Sequence, residues 1–382
     1  MATRFLFDQV VLQPTSLCNL NCSYCYVPHR DEDRRMSPRV TERLAESLWA
    51  LPKHQNPIYL LWHSGEPLAV GLAHMRALCE PFLGLEAERQ IAHRLQTNAT
   101  LIDAAWCEFF DERRWEIAIS LDGPRDLNRH RLDWAGRPSF EKVLRGIERL
   151  REVKCDLVVL LVVTEETLGQ ARDLYEFFAG LGCIRLGVNI EERSGINLGR
   201  PMLEDPRVAA FWSDLYEAFA KNPVIEIREF RLFAAWWDAV LGVPPPADEQ
   251  PTYRTNLLPT IGYDGEVVFL STEILQTDAG RYGRFEVGNI LTESLDDLVK
   301  RAKRTPYVRD FLEGVDACKA QCSYYSFCGG GFPANKFSEL GTMNATETVG
   351  CLNTRRRLYD VLMEKMRGQD RSAAETLLPK RT

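Results

Sequence analysis

The sequence predicts an α/β fold, a partial (β/α)6 TIM-like barrel followed by a Cys-rich C-terminal domain. Three observations carry that expectation. Six short apolar runs alternate with helical periods up to about residue 200, the pattern of parallel strands joined by right-handed crossovers. Six such units suit an open barrel better than a closed eight-fold one. Seven of the eleven cysteines gather in two groups, Cys18/Cys22/Cys25 and Cys318/Cys322/Cys328/Cys351.

Taken in order, the runs are Val10–Gln13, Ile58–His63, Ile91–Gln96, Trp115–Leu121, Leu157–Val163 and Ile184–Ile190. Each reads as a strand buried on both faces. Helical periods fall at about 38–51, 71–83, 101–112, 139–152, 168–180 and 204–221. The stretch 201–255 reads as a bridging helical region and a linker, with Phe211, Trp212, Phe230, Phe233, Trp236 and Trp237 as packing aromatics and Pro244-Pro245-Pro246 near its end. A β-hairpin with Asp264-Gly265 at its turn opens a small domain over 256–355. The charged tail, 356–382, reads as a solvated helical cap. The barrel itself is assigned to 1–200.

The chain has 382 residues and a net charge of −7, from 47 basic and 54 acidic side chains, which disfavours nucleic acid and anionic membrane as partners. The longest apolar run, Leu157 to Val163, is far shorter than the roughly 20 residues of a membrane-spanning helix. No export signal follows Met1, so a cytoplasmic protein is expected. Thiols stay reduced there, and metal or cluster ligation becomes the leading account of the grouped cysteines. Cys79, Cys107, Cys155 and Cys183 stand alone and read as small core hydrophobes.

Cys18, Cys22 and Cys25 form C-x3-C-x2-C just after the first strand, on the face where a barrel carries its active site. Three thiolates from one loop leave one iron of a cubane cluster without a protein ligand, and an open iron is a reactive position. A structural zinc site is the competing reading, with His29 as the fourth ligand available in the loop.

The spacing, with Tyr24 before the third cysteine, resembles the signature of the radical S-adenosylmethionine (SAM) enzymes. The resemblance implies a [4Fe-4S] cluster that binds SAM and cleaves it reductively to a 5′-deoxyadenosyl radical. Ser64-Gly65-Glu66-Pro67 stands where these enzymes usually carry Gly-Gly-Glu-Pro, a backbone that receives the SAM amino group. Here Ser64 replaces the first glycine, a change that a φ below zero tolerates. By the same resemblance Asn98, Ser120, Arg131 and Tyr24 belong to the SAM site, with Ser120 and Arg131 toward its ribose and carboxylate.

The second group, with spacings x3, x5 and x22, supplies four thiols for one closed cluster and resembles the SPASM extension of enzymes that modify ribosomal peptides. Phe332 stands where the fuller pattern has a further cysteine, and no cysteine lies between Cys183 and Cys318, so one auxiliary cluster is expected. A four-thiolate zinc site competes with it. Gly329–Lys336, Asn344–Thr348, Ser271–Leu275 and Phe285–Asn289 resemble the cyclophane-forming peptide maturases, which join an aromatic side chain to the β-carbon of a nearby residue. What this implies is a precursor peptide as substrate, a reductant such as flavodoxin or ferredoxin, and leader recognition by the bridging region, the SPASM edge or a separate leader-binding protein. Glu273, Glu191 and Asp122 are the candidate bases, and Glu192 shares with Glu191 the end of the sixth strand. The rival readings are another SPASM-type maturation, formylglycine or thioether formation, and a non-catalytic scaffold with two zinc sites.

Overall fold

The computed structural model describes residues 7–53, 56–242, 257–367 and 377–379. Six strands, β1 (Gln9–Leu12), β2 (Ile58–Trp62), β3 (Ile91–Thr97), β4 (Glu116–Ser120), β5 (Val158–Val163) and β6 (Arg185–Ile190), lie side by side in chain order. All five pairings between them are parallel. Beyond β6 a short β7 (Glu226–Ile227) adds in parallel. On the other edge β8 (Thr260–Ile261) pairs with β1, and β9 (Glu266–Val268) and β10 (Gly288–Asn289) follow antiparallel. The expected hairpin is present, with Gly265 at φ +84, and it extends the barrel sheet.

The strands are less uniformly buried than their sequences suggest. In β3, β4 and β5, full and partial burial alternate along the strand. The buried face packs on the surrounding helices, while partly exposed Gln96, Ser120, Leu160 and Val162 line an interior cavity. A closed barrel fills that space with side chains, whereas an open one leaves it to a ligand.

Helices 38–49, 104–112, 140–152 and 171–180 occupy the crossovers, each with an apolar stripe at helical spacing. The helix 140–152 makes one unusually close approach. A Cβ at Gly146 would stand 2.2 Å from the carbonyl oxygen of Ala99, in the loop leaving β3. Only glycine lets the helix lie against that loop.

The bridging segment forms helices 207–221 and 228–240, in which Phe211, Trp212, Phe230 and Phe233 are buried. The run Pro244–Pro246 lies outside the described residues. Two expectations need correction. The tail is not merely solvated, because Leu358, Leu362 and Met366 recur every four residues on the helix 357–366 and are buried. Trp212 also donates its indole N–H to the carbonyl of Asn353 at 2.9 Å. Among the single cysteines, Cys79, Cys107 and Cys183 are buried, but Cys155, just past a helix end, is partly exposed. Among the described residues, no helix is long and apolar enough to cross a membrane.

Gly146→Ala should lower stability by about 1–3 kcal/mol through overpacking. Urea denaturation of the variant against the parent protein measures this, and an unchanged midpoint would show that the helix can shift freely.

Candidate active site

A cavity of about 500 Å³ opens at the C-terminal ends of the parallel strands. Cys18, Cys22 and Cys25 line it from the loop after β1, Ser64, Gly65 and Glu66 from the end of β2, and Gln96 and Asn98 from the end of β3. Ser120 and Arg131 come from β4 and its following loop, and Glu191 and Glu192 from the end of β6. The C-terminal region closes the far wall with Glu273, Phe332, Asn335 and Arg355.

The loop bearing the first three cysteines is held from both flanks. Cys18 N–H donates to the carbonyl of Arg30 at 2.8 Å, and Asn21 N–H to that of Leu132 at 2.7 Å. The Trp134 indole donates to the Cys18 carbonyl at 2.8 Å. The Cys18 sulfur itself faces two donors, the Leu20 N–H at 3.5 Å and the Asn98 amide at 3.9 Å. Burial pushes the Cys22 thiol up to about 11 and raises Cys18 further, so bare thiols here stay protonated. Metal binding takes up such thiols as thiolates, and donors aimed at sulfur suit that form.

The end of β2 is locked to this loop. Glu66 N–H donates to the Leu17 carbonyl at 2.8 Å. A Cβ at Gly65, which has φ +67, would meet the carbonyl oxygens of Thr15, Leu17 and Ser16 at 2.5–2.8 Å. The turn also forces Ser64 to φ +70, so the expectation of a negative φ there is overturned. A non-glycine residue in this region is strained by about 1–2 kcal/mol. The Glu66 side chain has its oxygens taken by Thr97 Oγ1 at 2.7 Å, Asn98 N–H at 2.8 Å and Leu68 N–H at 3.1 Å. It therefore pins the end of β3 to the end of β2.

Asn98 donates to Asn19 Oδ1 at 2.8 Å, and Ser120 accepts from Gln96 at 3.5 Å. Tyr24, Asp122 and Arg131 form one buried group. The Tyr24 hydroxyl donates to Asp122 Oδ2 at 2.5 Å and accepts from Arg131 Nη1 at 2.7 Å. Asp122 Oδ1 accepts from Val162 N–H at 3.1 Å. Asp122 is thus engaged on both oxygens and lies behind the cavity wall rather than on it, whereas Tyr24 and Arg131 reach the wall.

The other two candidate bases do reach the cavity. Glu191 is paired with Arg200, and Glu273 accepts from Ser271. Glu192, next to Glu191, is more informative. Burial, aided by the charges of Glu273 and Glu339, pushes its carboxyl up to about 7 against the opposing Asn335 hydrogen bond. A further buried pair, Tyr26 and His63 at 2.8 Å, lines the same space, and burial takes His63 down to about 4. The sequence gave no sign of this pair, of Asn335 or of Arg355, because each reaches the cavity only through tertiary packing.

The second group of cysteines also converges. Cys322 N–H donates to the Cys318 carbonyl at 2.8 Å in the turn ending the helix 306–321. Cys328 and Cys351, 23 positions apart, share a hydrogen bond that lowers the first thiol. Cys318 feels the charges of both Cys328 and Cys322. Four thiols gathered in this way fit a closed cluster.

A sequence model of the radical SAM superfamily matches residues 12–178. An uncharacterised protein of Synechocystis sp. is 32% identical over 352 residues, covering 90% of this chain and 87% of that one. This chain belongs to the radical SAM superfamily. It is similar at 24% identity over 355 residues to a serine-type anaerobic sulfatase-maturating enzyme of Bacteroides thetaiotaomicron, covering 86% and 83% of the two chains. In fold it resembles native anSMEcpe with bound AdoMet and a peptide, with a TM-score of 0.76, 21% identity and 94% and 97% of the chains covered. It also resembles Streptococcus suis SuiB bound to its precursor peptide SuiA, with a TM-score of 0.65, 17% identity and 90% and 76% covered. Membership makes the chain an enzyme that uses SAM and a [4Fe-4S] cluster. The loop of Cys18, Cys22 and Cys25, at the mouth of the one cavity that joins it to β2 and β3, fits both groups.

Two variants test the locked turn. Gly65→Ala should destabilise the protein by about 1–3 kcal/mol, since backbone oxygens cannot yield as side chains do. Ser64→Gly should stabilise it by about 1 kcal/mol by relieving the left-handed strain. Thermal denaturation measures both, and a shift of the same sign in the two would contradict the geometry.

Proposed function

We propose that this enzyme is a radical SAM maturase that closes a carbon–carbon cyclophane crosslink between an aromatic side chain and the β-carbon of a nearby residue in a ribosomally made precursor peptide. The observation that carries the reading is a carboxyl held near neutrality, Glu192, in a cavity bounded on one side by three thiols and on the other by the four-thiol region. The motif resemblance over Ser271–Leu275 and Gly329–Lys336 supports the cyclophane product. In this reading residues 1–200 bind SAM, 201–255 bridge, 256–355 hold an auxiliary [4Fe-4S] cluster on Cys318, Cys322, Cys328 and Cys351, and 356–382 form the tail.

Bound SAM supplies a 5′-deoxyadenosyl radical, which accepts one hydrogen atom from the peptide β-carbon. Bond closure to the ring then requires loss of one proton and one electron. Of the carboxylates at the site, Glu192 and Glu273 suit the proton. Glu191 is held by Arg200, and both oxygens of Asp122 are occupied. The auxiliary cluster takes the electron. Tyr24, Ser64, Gly65, Glu66, Asn98, Ser120 and Arg131 form the SAM site, with Glu66 acting through the strand ends that it joins. The buried Arg131 guanidinium has its Nε without a hydrogen-bond partner among the described residues, a donor available to the SAM carboxylate.

Formylglycine formation is the second reading, and the sulfatase-maturating relatives favour it. It too removes two hydrogens, but from one Ser or Cys. Co-expression with a short open reading frame encoded beside the gene, followed by tandem mass spectrometry of the peptide, separates the two. Loss of two hydrogens, with fragmentation suppressed between an aromatic and a residue two positions on, supports the crosslink. An aldehyde at Ser or Cys would replace it with formylglycine formation.

Glu192→Gln should slow product formation by about 10²–10⁴-fold, while hydrogen abstraction persists. The carboxylate must be ionised to accept a proton, so crosslinking by the parent enzyme should rise as the pH passes about 7 and then level off. Because the same group is raised from 4.5 in the fold, stability should decline as the pH rises from about 4.5 to about 7. A flat rate profile across that range, measured by product yield, would remove Glu192 as the base.

A further inference from the structure

The helix 333–340 carries two adjacent residues with different outlooks. Asn335 lines the cavity beside Glu192, while Lys336, one position on and about 100° around the helix, turns toward the four C-terminal thiols. Lys336 is 1% exposed. Its Nζ has no hydrogen-bond partner among the described residues. The charges that act on it are those of Cys318, Cys328 and Cys351, and the Phe311 ring lies 5.1 Å from the ammonium.

A lysine almost never lies fully buried unless it is paired. A lone aromatic face offsets a few kcal/mol at most, well short of what a buried ammonium needs. The three surrounding thiols are neutral when protonated and offer no counter-charge. Four thiolates around a [4Fe-4S] core do, because together they form a dianion that becomes a trianion on reduction by one electron. A fixed cation beside it favours the more negative, reduced form.

We propose that Lys336 is the counter-charge of the auxiliary cluster and sets its reduction potential, so that the cluster can take the electron released when the peptide product forms. This rests on the reading of the four C-terminal thiols as an iron–sulfur site. Lys336 touches neither peptide nor SAM and is a positioning residue for electron transfer. Its neighbour Asn335 contacts the proton acceptor, so a single helix turn addresses both the proton and the electron.

The test uses the full chain carrying Cys18→Ala, Cys22→Ala and Cys25→Ala, purified without oxygen, in which the C-terminal site is the one left to hold a cluster. A mediated potentiometric titration with dithionite, followed by electron paramagnetic resonance, gives its midpoint potential. Lys336→Met, with similar length and no charge, should keep the iron content but reduce at least tenfold less readily at a given potential, about 59 mV lower for one electron. Lys336→Arg should restore the parent value, which a merely packing role would not require. Lys336→Gln serves where the Met variant does not fold. An unchanged midpoint in the uncharged variants at full iron content would overturn the role of Lys336 and leave the cluster reading intact. Zinc in place of iron in the triple variant would overturn both.

Discussion

The site depends on one steric constraint, the contact between the turn after β2 and the backbone of the loop after β1. At Gly65 the space that a Cβ would fill is occupied by three carbonyl oxygens, and the following N–H is bonded to Leu17. That contact sets the depth at which Cys18, Cys22 and Cys25 sit and leaves Ser64 in a left-handed conformation. Local strain of this kind persists only where the surroundings over-determine it. Here they do so through Glu66, whose carboxylate ties the ends of β2 and β3 together.

The buried acidic groups divide by what their oxygens touch. Glu66 and Asp122 are spent on backbone and hydroxyl donors, so they organise strand ends rather than carry out chemistry. Glu192 accepts from an amide and stands near another carboxylate, an environment that favours its neutral form. A group poised in this way can take a proton at neutral pH, which the structural carboxylates cannot do without losing their partners.

Continuity of the sheet explains how distant segments meet. Because β8 pairs with β1, the region after residue 256 grows out of the barrel wall and brings Glu273 to the mouth of the strands. The tail helix is anchored by its apolar stripe, which sets the preceding π-helical turn, Leu352–Arg356, against the cavity with Arg355 facing it. Irregular turns of this type are frequent at functional sites.

By itself the sequence determined the six-strand barrel, to within a residue or two at most strand ends, and the two cysteine groups. Apolar runs and thiol spacing are local signals, and local physics is enough to read them. The alternating burial of the strands, the positive φ at Ser64 and the withdrawal of Asp122 from the cavity were decided by the tertiary structure, since each depends on what another strand presents. The same holds for Glu192, Asn335, Arg355 and Lys336, whose meaning comes from neighbours more than a hundred positions away or on the far side of a helix. Residue type marks where a proton or a cation can be, and only the packed surroundings fix its charge and its partner.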